Sequence, residues 1–203
     1  MDHRIELVLQ EVTPDSTVLD IGCVHHAADR ERDSRWLHKH LYGRCRHVIG
    51  MDILEEDCAV LRNMGYNILQ GDAEVFNLGR KFDCIVAGEL IEHLSNPGLF
   101  LDRCKSHLNE NGKLILTTPN AWCISNIISI ILRDYSPVHE QHTHWYDKIT
   151  ITQLLERHGY KVHNLNYIQG RNSAWSRSIL SVLYALKFKQ LAGEGIFIVC
   201  SPT

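Results

Sequence analysis

The chain has 203 residues, with 21 Lys and Arg against 24 Asp and Glu, a net charge of −3. That length suits one domain with a packed core, and acids and bases are mixed without a basic stripe, which argues against nucleic acid as a partner. No run approaches the roughly 20 apolar residues of a membrane span, and Met1-Asp-His-Arg-Ile-Glu lacks the apolar stretch of a signal peptide. The seven cysteines are scattered, form no C-x-x-C pair and fall partly inside apolar runs such as Phe82-Asp-Cys-Ile-Val. They read as reduced, mostly buried thiols, and the expected location is cytoplasmic. A monomer and a homodimer fit equally.

In chain order, a short amphipathic helix over 4–11 stops at Thr13-Pro14, and a first strand covers 17–22. A loop rich in His and charge, 24–33, leads to a helix over 34–42, strand two at 47–52 and a helix over 54–64. Strand three is short, 67–70, and strand four covers 84–88. Asn96-Pro97 opens a helix over 97–109, and Asn111-Gly112 turns into strand five, 113–118. Strands and helices alternate with short connections up to this point, the pattern of a parallel sheet covered on both faces. An apolar helical stretch, 121–133, a helix over 148–158 and strand six, 160–168, follow. A second apolar helix is expected over about 174–188, and strand seven, 195–200, closes the chain.

The chemistry begins at Ser16-Thr-Val-Leu-Asp-Ile-Gly-Cys23. An apolar run ending in Asp20 and Gly22 reads as a buried parallel strand presenting both at the sheet's carboxyl edge, where open α/β sheets bind cofactors. A dinucleotide site wants G-x-G-x-x-G there, so that bare backbone receives a pyrophosphate. A carboxylate two residues before a lone glycine repels phosphate and suits a cationic amine or sulfonium. S-adenosylmethionine (SAM) is such a ligand.

The order of elements and motifs resembles the class I SAM-dependent methyltransferases over about residues 14–200. The resemblance implies a three-layer α/β sandwich whose seven-stranded sheet is mostly parallel with an antiparallel last strand. It implies a single domain over 1–203, with a helix in 1–13 and acceptor-side insertions at 121–146 and 172–190. Val18-Leu-Asp-Ile-Gly-Cys23 is similar to the motif that holds the methionine part of SAM, through Asp20, Gly22 and Cys23. Asp52 matches the acid that takes the ribose hydroxyls, followed by Ile53. Gly71-Asp72-Ala73 matches the adenine segment, and Ala87-Gly88-Glu89 the strand end beside the transferring methyl. The usual D-x-G-x-G-x-G is broken, because Val24 and His26 stand at its second and third glycines.

Methyl transfer from a sulfonium needs alignment, and a hydroxyl acceptor must also lose a proton to a base or a metal. Glu89-Leu-Ile-Glu92-His93 supplies the candidates, since i, i+3 and i+4 share a face on a helical turn. The pattern is similar to the metal site of ubiquinone-pathway O-methyltransferases and of small-RNA 2′-O-methyltransferases. That resemblance implies a divalent cation on Glu89, Glu92 and His93, with His142 or His144 as the fourth ligand, and so oxygen-rich a set favours Mg²⁺ or Mn²⁺. His25, His26, His142, His144, Trp145 and Tyr146 are the expected acceptor contacts. His38 and His40 lie two apart and share no face. The function expected is methyl transfer to a small-molecule or glycan acceptor, most simply at oxygen, with a lipid-linked acceptor at a membrane surface as one form. The rivals are a non-catalytic module binding SAM or its product S-adenosylhomocysteine (SAH), and a nucleotide-dependent oxidoreductase. The missing glycine fingerprint and Asp20 argue against the oxidoreductase.

Overall fold

The computed structural model describes residues 2–24, 33–135, 138–169 and 188–203. The expected helix over 174–188 lies almost wholly outside them. So do His25 and His26. The strands are β1 (Thr17–Ile21), β2 (His47–Asp52), β3 (Ile68–Gln70), β4 (Phe82–Gly88), β5 (Leu108–Pro119), β6 (Tyr160–Ile168) and β7 (Gly195–Pro202). The helices are α1 (His3–Gln10), α2 (Leu37–Arg44), α3 (Glu55–Asn63), α4 (Pro97–His107), α5 (Ile124–Arg133), α6 (Lys148–Arg157) and α7 (Lys189–Ala192).

One sheet runs in the order β3-β2-β1-β4-β5-β7-β6. All its pairings are parallel except those of β7, which is antiparallel to both β5 and β6. The central strands are apolar on successive residues because both faces are covered. On one face Leu19, Ile85, Leu114, Leu116, Ile196 and Ile198 pack under α4 and α6 with Phe100, Leu101, Ile151 and Leu155. On the other, Val18, Val86, Ile115, Phe197 and Val199 meet Ile5, Val8, Leu37 and Leu41 of α1 and α2. The sheet order reverses between β1 and β4, so the two chains leaving their carboxyl ends diverge and open a crevice. All seven cysteines are buried and unpaired, as expected of reduced thiols.

Local chemistry sets the ends. Asn96 caps α4 by accepting from Leu99 N at 3.1 Å, with Pro97 in the first turn. Asp147 and Thr150 form a reciprocal capping box at α6. Several boundaries differ from the sequence reading, and two of the differences have a clear local cause. α2 begins at Leu37 rather than 34, because Asp33 accepts from Arg35 N at 2.9 Å and from its guanidinium, folding 33–36 into a turn. Asn111-Gly112 does not form a separate turn. Strand β5 already pairs at Leu108, and the register jumps from Phe82↔Leu108 to Cys84↔Lys113, so the intervening residues form a bulge. A Cβ on Gly112 would stand 2.9 Å from Phe82 O, which is why the bulge carries glycine. Among the described residues no helix is long and apolar enough to cross a membrane.

Candidate active site

The carboxyl ends of β1, β2 and β4 frame a cleft of about 670 Å³ lined by Asp20, Gly22, Cys23, Asp52, Gly88 and Glu89, among others. It continues into a lobe of about 300 Å³ lined by Asp72, Ala73, Ile53 and His93. All the described residues expected at the cofactor therefore meet along one edge.

Gly22 carries the turn out of β1 with φ +74°, and its N–H donates to Met51 O at 2.8 Å. The loop that follows is fastened to β2: Val24 N donates to Asp52 Oδ2 at 2.9 Å. Leu54 N donates to Asp52 Oδ1 at 3.2 Å. Burial pushes the Asp52 carboxyl up, against these backbone N–H bonds, which pull it down. Each oxygen keeps a further lone pair for a ligand in the cleft. Asp72 Oδ1 accepts from Glu74 N at 2.8 Å and stands in the smaller lobe.

Asp20 is buried and its Oδ2 lies 2.9 Å from Nδ1 of His38, which is also buried. The two helix histidines separate as their spacing implies: His40 turns away to Ser34 O at 2.8 Å. Nε2 of His38 has no partner among the described residues. Gly50 makes room for the pair, because a Cβ there would stand 2.8 Å from His38 Cε1 and 2.7 Å from Cys23 Sγ.

The carboxyl end of β4 departs from a simple helical face. Glu89 takes φ +55°, with its N–H on Thr117 O at 2.9 Å, and the helical turn covers only Ile91–His93. The i, i+3, i+4 relation therefore does not hold from Glu89. Among the described residues, ligand atoms of Glu92, His93 and His142 lie within 4.8 Å of one another; Glu89 and His144 are outside that group. Glu89 instead lies beside Arg4 of α1 and accepts from Thr117; burial raises its carboxyl and these two partners oppose the rise.

Glu92 is buried, and its Oε2 accepts from Thr118 Oγ1 at 3.0 Å, while Oε1 has no partner among the described residues. Burial first, then the Glu89 charge, pushes its carboxyl up to about 8. The His93 and His142 rings meet edge-on with centroids 4.5 Å apart, and His139 adds a third ring 5.5 Å from His142. Burial and the two neighbouring imidazoles lower His142. The loop carrying these histidines is stapled to the Glu92 turn: Thr143 N donates to Glu92 O at 2.9 Å and Thr143 Oγ1 to Leu94 O at 2.7 Å.

Beyond the histidines lies a second cavity of about 270 Å³, lined by Glu92, Thr118, Asn120, His142, His144 and Trp145, among others. His144 stacks on Tyr146 at 5.9 Å, and the buried Tyr146 hydroxyl has no partner among the described residues. Burial and the nearby Glu92 push it up to about 12. His139 lines both the larger cleft and the second cavity, with His93 on the cleft side and Glu92 and His142 on the cavity side. Sequence reasoning missed Arg4, His38 as the partner of Asp20, and the Thr117-Thr118 pair. The threonines could have been found, since they end β5 on the edge where the other strands present their polar residues.

The methyltransferase-domain family model matches residues 1–165. The chain belongs to that family. Membership in a methyltransferase-domain family sets the oxidoreductase alternative aside. A ubiquinone biosynthesis O-methyltransferase from Nitrobacter winogradskyi is 34% identical over 86 residues, 42% of this chain and 33% of that protein. The human mitochondrial protein of the same name is 25% identical over 134 residues, 58% of this chain and 36% of its own length. The chain thus spans about a third of the curated relatives it matches. The fold is similar to that of a Clostridium acetobutylicum SAM-dependent methyltransferase (TM-score 0.65, 13% identity, 100% of this chain and 92% of that one). It is also similar to a Synechocystis magnesium protoporphyrin IX methyltransferase with bound SAH (TM-score 0.65, 12% identity, 98% and 82% covered).

The raised Glu92 carboxyl carries a stability consequence. Between its ordinary value of 4.5 and about 8, the folded protein holds a proton on Glu92 that the unfolded chain has released. Stability therefore falls as pH rises through that window. His142, lowered by its surroundings, works the other way around its own ordinary 6.5. Thermal melts of the protein in chelator should show a midpoint that drops from pH 5 to pH 8, and Glu92→Gln should flatten that slope. A slope unchanged in the variant would mean that Glu92 is ionised throughout.

Proposed function

We propose that this methyltransferase moves a methyl group from SAM to a hydroxyl oxygen of a small-molecule or glycan acceptor. The reading rests on the Glu92, His93 and His142 group, set between the cofactor cleft and the second cavity. In it Asp52 takes the ribose hydroxyls, Asp72 the adenine amine, and Asp20 with the Gly22–Val24 turn the methionine end. Arg4, beside Glu89 in the same cleft, gives a cation for the methionine carboxylate. His142, His144, Trp145 and Tyr146 border the acceptor. The relatives' names, which specify O-methylation, support oxygen as the acceptor atom.

The transfer is an in-line displacement. The acceptor oxygen forms a bond to the methyl carbon, the carbon–sulfur bond breaks, and the pair stays on sulfur as neutral SAH. The acceptor's proton must leave, and an imidazole at this junction can accept it. The three side chains also fit a divalent cation. A buried carboxylate oxygen without a partner, beside two imidazoles, is a donor set that loses its desolvation cost when a cation binds. One oxygen and two nitrogen donors favour Mn²⁺ or Zn²⁺ over Mg²⁺. A cation held there would lower the acceptor's pKa so that the alkoxide or phenolate forms near neutral pH.

The test is chelation with two readouts. Excess chelator should abolish methyl transfer to a phenol or catechol panel and leave SAH binding intact, with Mn²⁺ restoring turnover. Full activity in chelator would remove the metal and leave His93 as the base, with one ionisation in the pH–rate profile that His93→Ala abolishes. SAH binding with no turnover of any hydroxyl acceptor would favour the non-catalytic module.

A further inference from the structure

Helix α5 is amphipathic the wrong way round. A helix on a globular surface turns its apolar stripe inward. In α5 the polar side chain faces in: Asn126 Nδ2 donates to the carbonyls of Asn120 and Ala121 at 3.3 Å, and Ser125 and Asn126 line the second cavity. Ile128, Ile131 and Leu132, spaced three and four apart on one side, face out. Ile131 is 73% and Leu132 75% exposed, and no residue of α5 is buried. An exposed apolar stripe of this size calls for an apolar partner.

We propose that this face docks on an anionic lipid surface and sets the mouth of the acceptor cavity at headgroup depth. The ends of the helix carry the argument. Trp122 precedes it and Tyr135 follows it, both more than half exposed, and such rings settle at a membrane–water interface. A cation stands at each end: Arg133 in the last turn, and exposed Lys148 next to Asp147, which accepts the Trp122 indole N–H at 2.8 Å. From Asn120 to Arg133 the sequence holds no carboxylate, and Asp134 is the single acid before Tyr135. Apolar stripe, terminal aromatics and flanking cations together match an interfacial helix on anionic lipid. Exposed Ile149, beside Lys148, extends the patch. A protein partner would need none of the terminal cations, and a second copy of this chain would bring like charges together at both ends.

Flotation of the full chain with vesicles tests this, without SAM, metal or acceptor, so its outcome is separate from that of the proposed reaction. The chain should float with mixed phosphatidylcholine–phosphatidylglycerol vesicles, and less with phosphatidylcholine alone. Ile131→Glu with Leu132→Glu should lower the bound fraction at least about tenfold. Both residues are on the surface, so SAH affinity and melting temperature should match the parent, and Ile131→Ser with Leu132→Ser should give an intermediate loss. A parent chain that stays with the aqueous phase overturns the proposal. Equal flotation of parent and double Glu variant overturns it too. So does a concentration-dependent dimer that the double variant abolishes and that ignores vesicles, since the occupant is then a second copy.

Discussion

Glu92→Gln is expected to lower methyl transfer by at least about a hundredfold while leaving SAH affinity unchanged. The substitution keeps the shape of the side chain and an acceptor for the Thr118 hydroxyl, so the β5 end stays packed. What it removes is the ionisable oxygen facing His93 and His142. Gln can neither carry the charge that draws a cation nor electrostatically support an imidazolium formed when the acceptor loses its proton. The residues proposed for the ribose and methionine contacts lie on other strands, so calorimetry with SAH should not register the change. Retained turnover in Glu92→Gln would reduce Glu92 to a buried structural acid bonded to Thr118.

Asp52→Ala should act on the opposite half of the site. In the proposed site it deletes the acceptor for two ribose hydroxyls, and each bond to a charged group contributes about 1.5–3 kcal/mol. The expected loss of SAH affinity is therefore at least about a hundredfold. Part of it arises indirectly, because Asp52 also holds Val24 N and Leu54 N and so shapes the loop after β1. Asp52→Asn separates the contributions: one carbonyl oxygen still takes a backbone N–H, while the second ribose acceptor is lost. Calorimetry giving parent affinity for Asp52→Ala would place the ribose elsewhere.

The edge of the sheet was legible because its signals are local. Apolar runs that end in Asp20 and Asp52 and the Gly71-Asp72 turn announce strand ends from sequence neighbours alone, and the structure brings them to one cleft. The histidine run after β5 was legible as a group, though which of its members meets Glu92 was not. His142 arrives because Thr143 staples the loop to the Glu92 turn, a contact across 51 positions that spacing does not reveal. Arg4 was missed for the same reason, since its neighbour Glu89 lies far along the chain. His38 was read against His40 on its own helix, whereas its partner is on β1. Helical spacing failed at Glu89 because its left-handed backbone breaks the turn before the helix begins.

The Asp20–His38 contact bears on when the loop loses its freedom. A carboxylate at the end of a strand would otherwise sample several rotamers and face solvent until a ligand ordered it. Here the imidazole, wedged over Gly50, holds that carboxylate in one orientation within the folded protein. The indole of Trp36 does the same for the backbone by donating to Cys23 O at 2.7 Å. The conformational entropy that a glycine-rich loop surrenders on binding is, for these residues, surrendered on folding. The chain trades the adaptability of the two missing glycines for a preorganised rim, so side-chain packing does the work that backbone freedom does elsewhere in the fold.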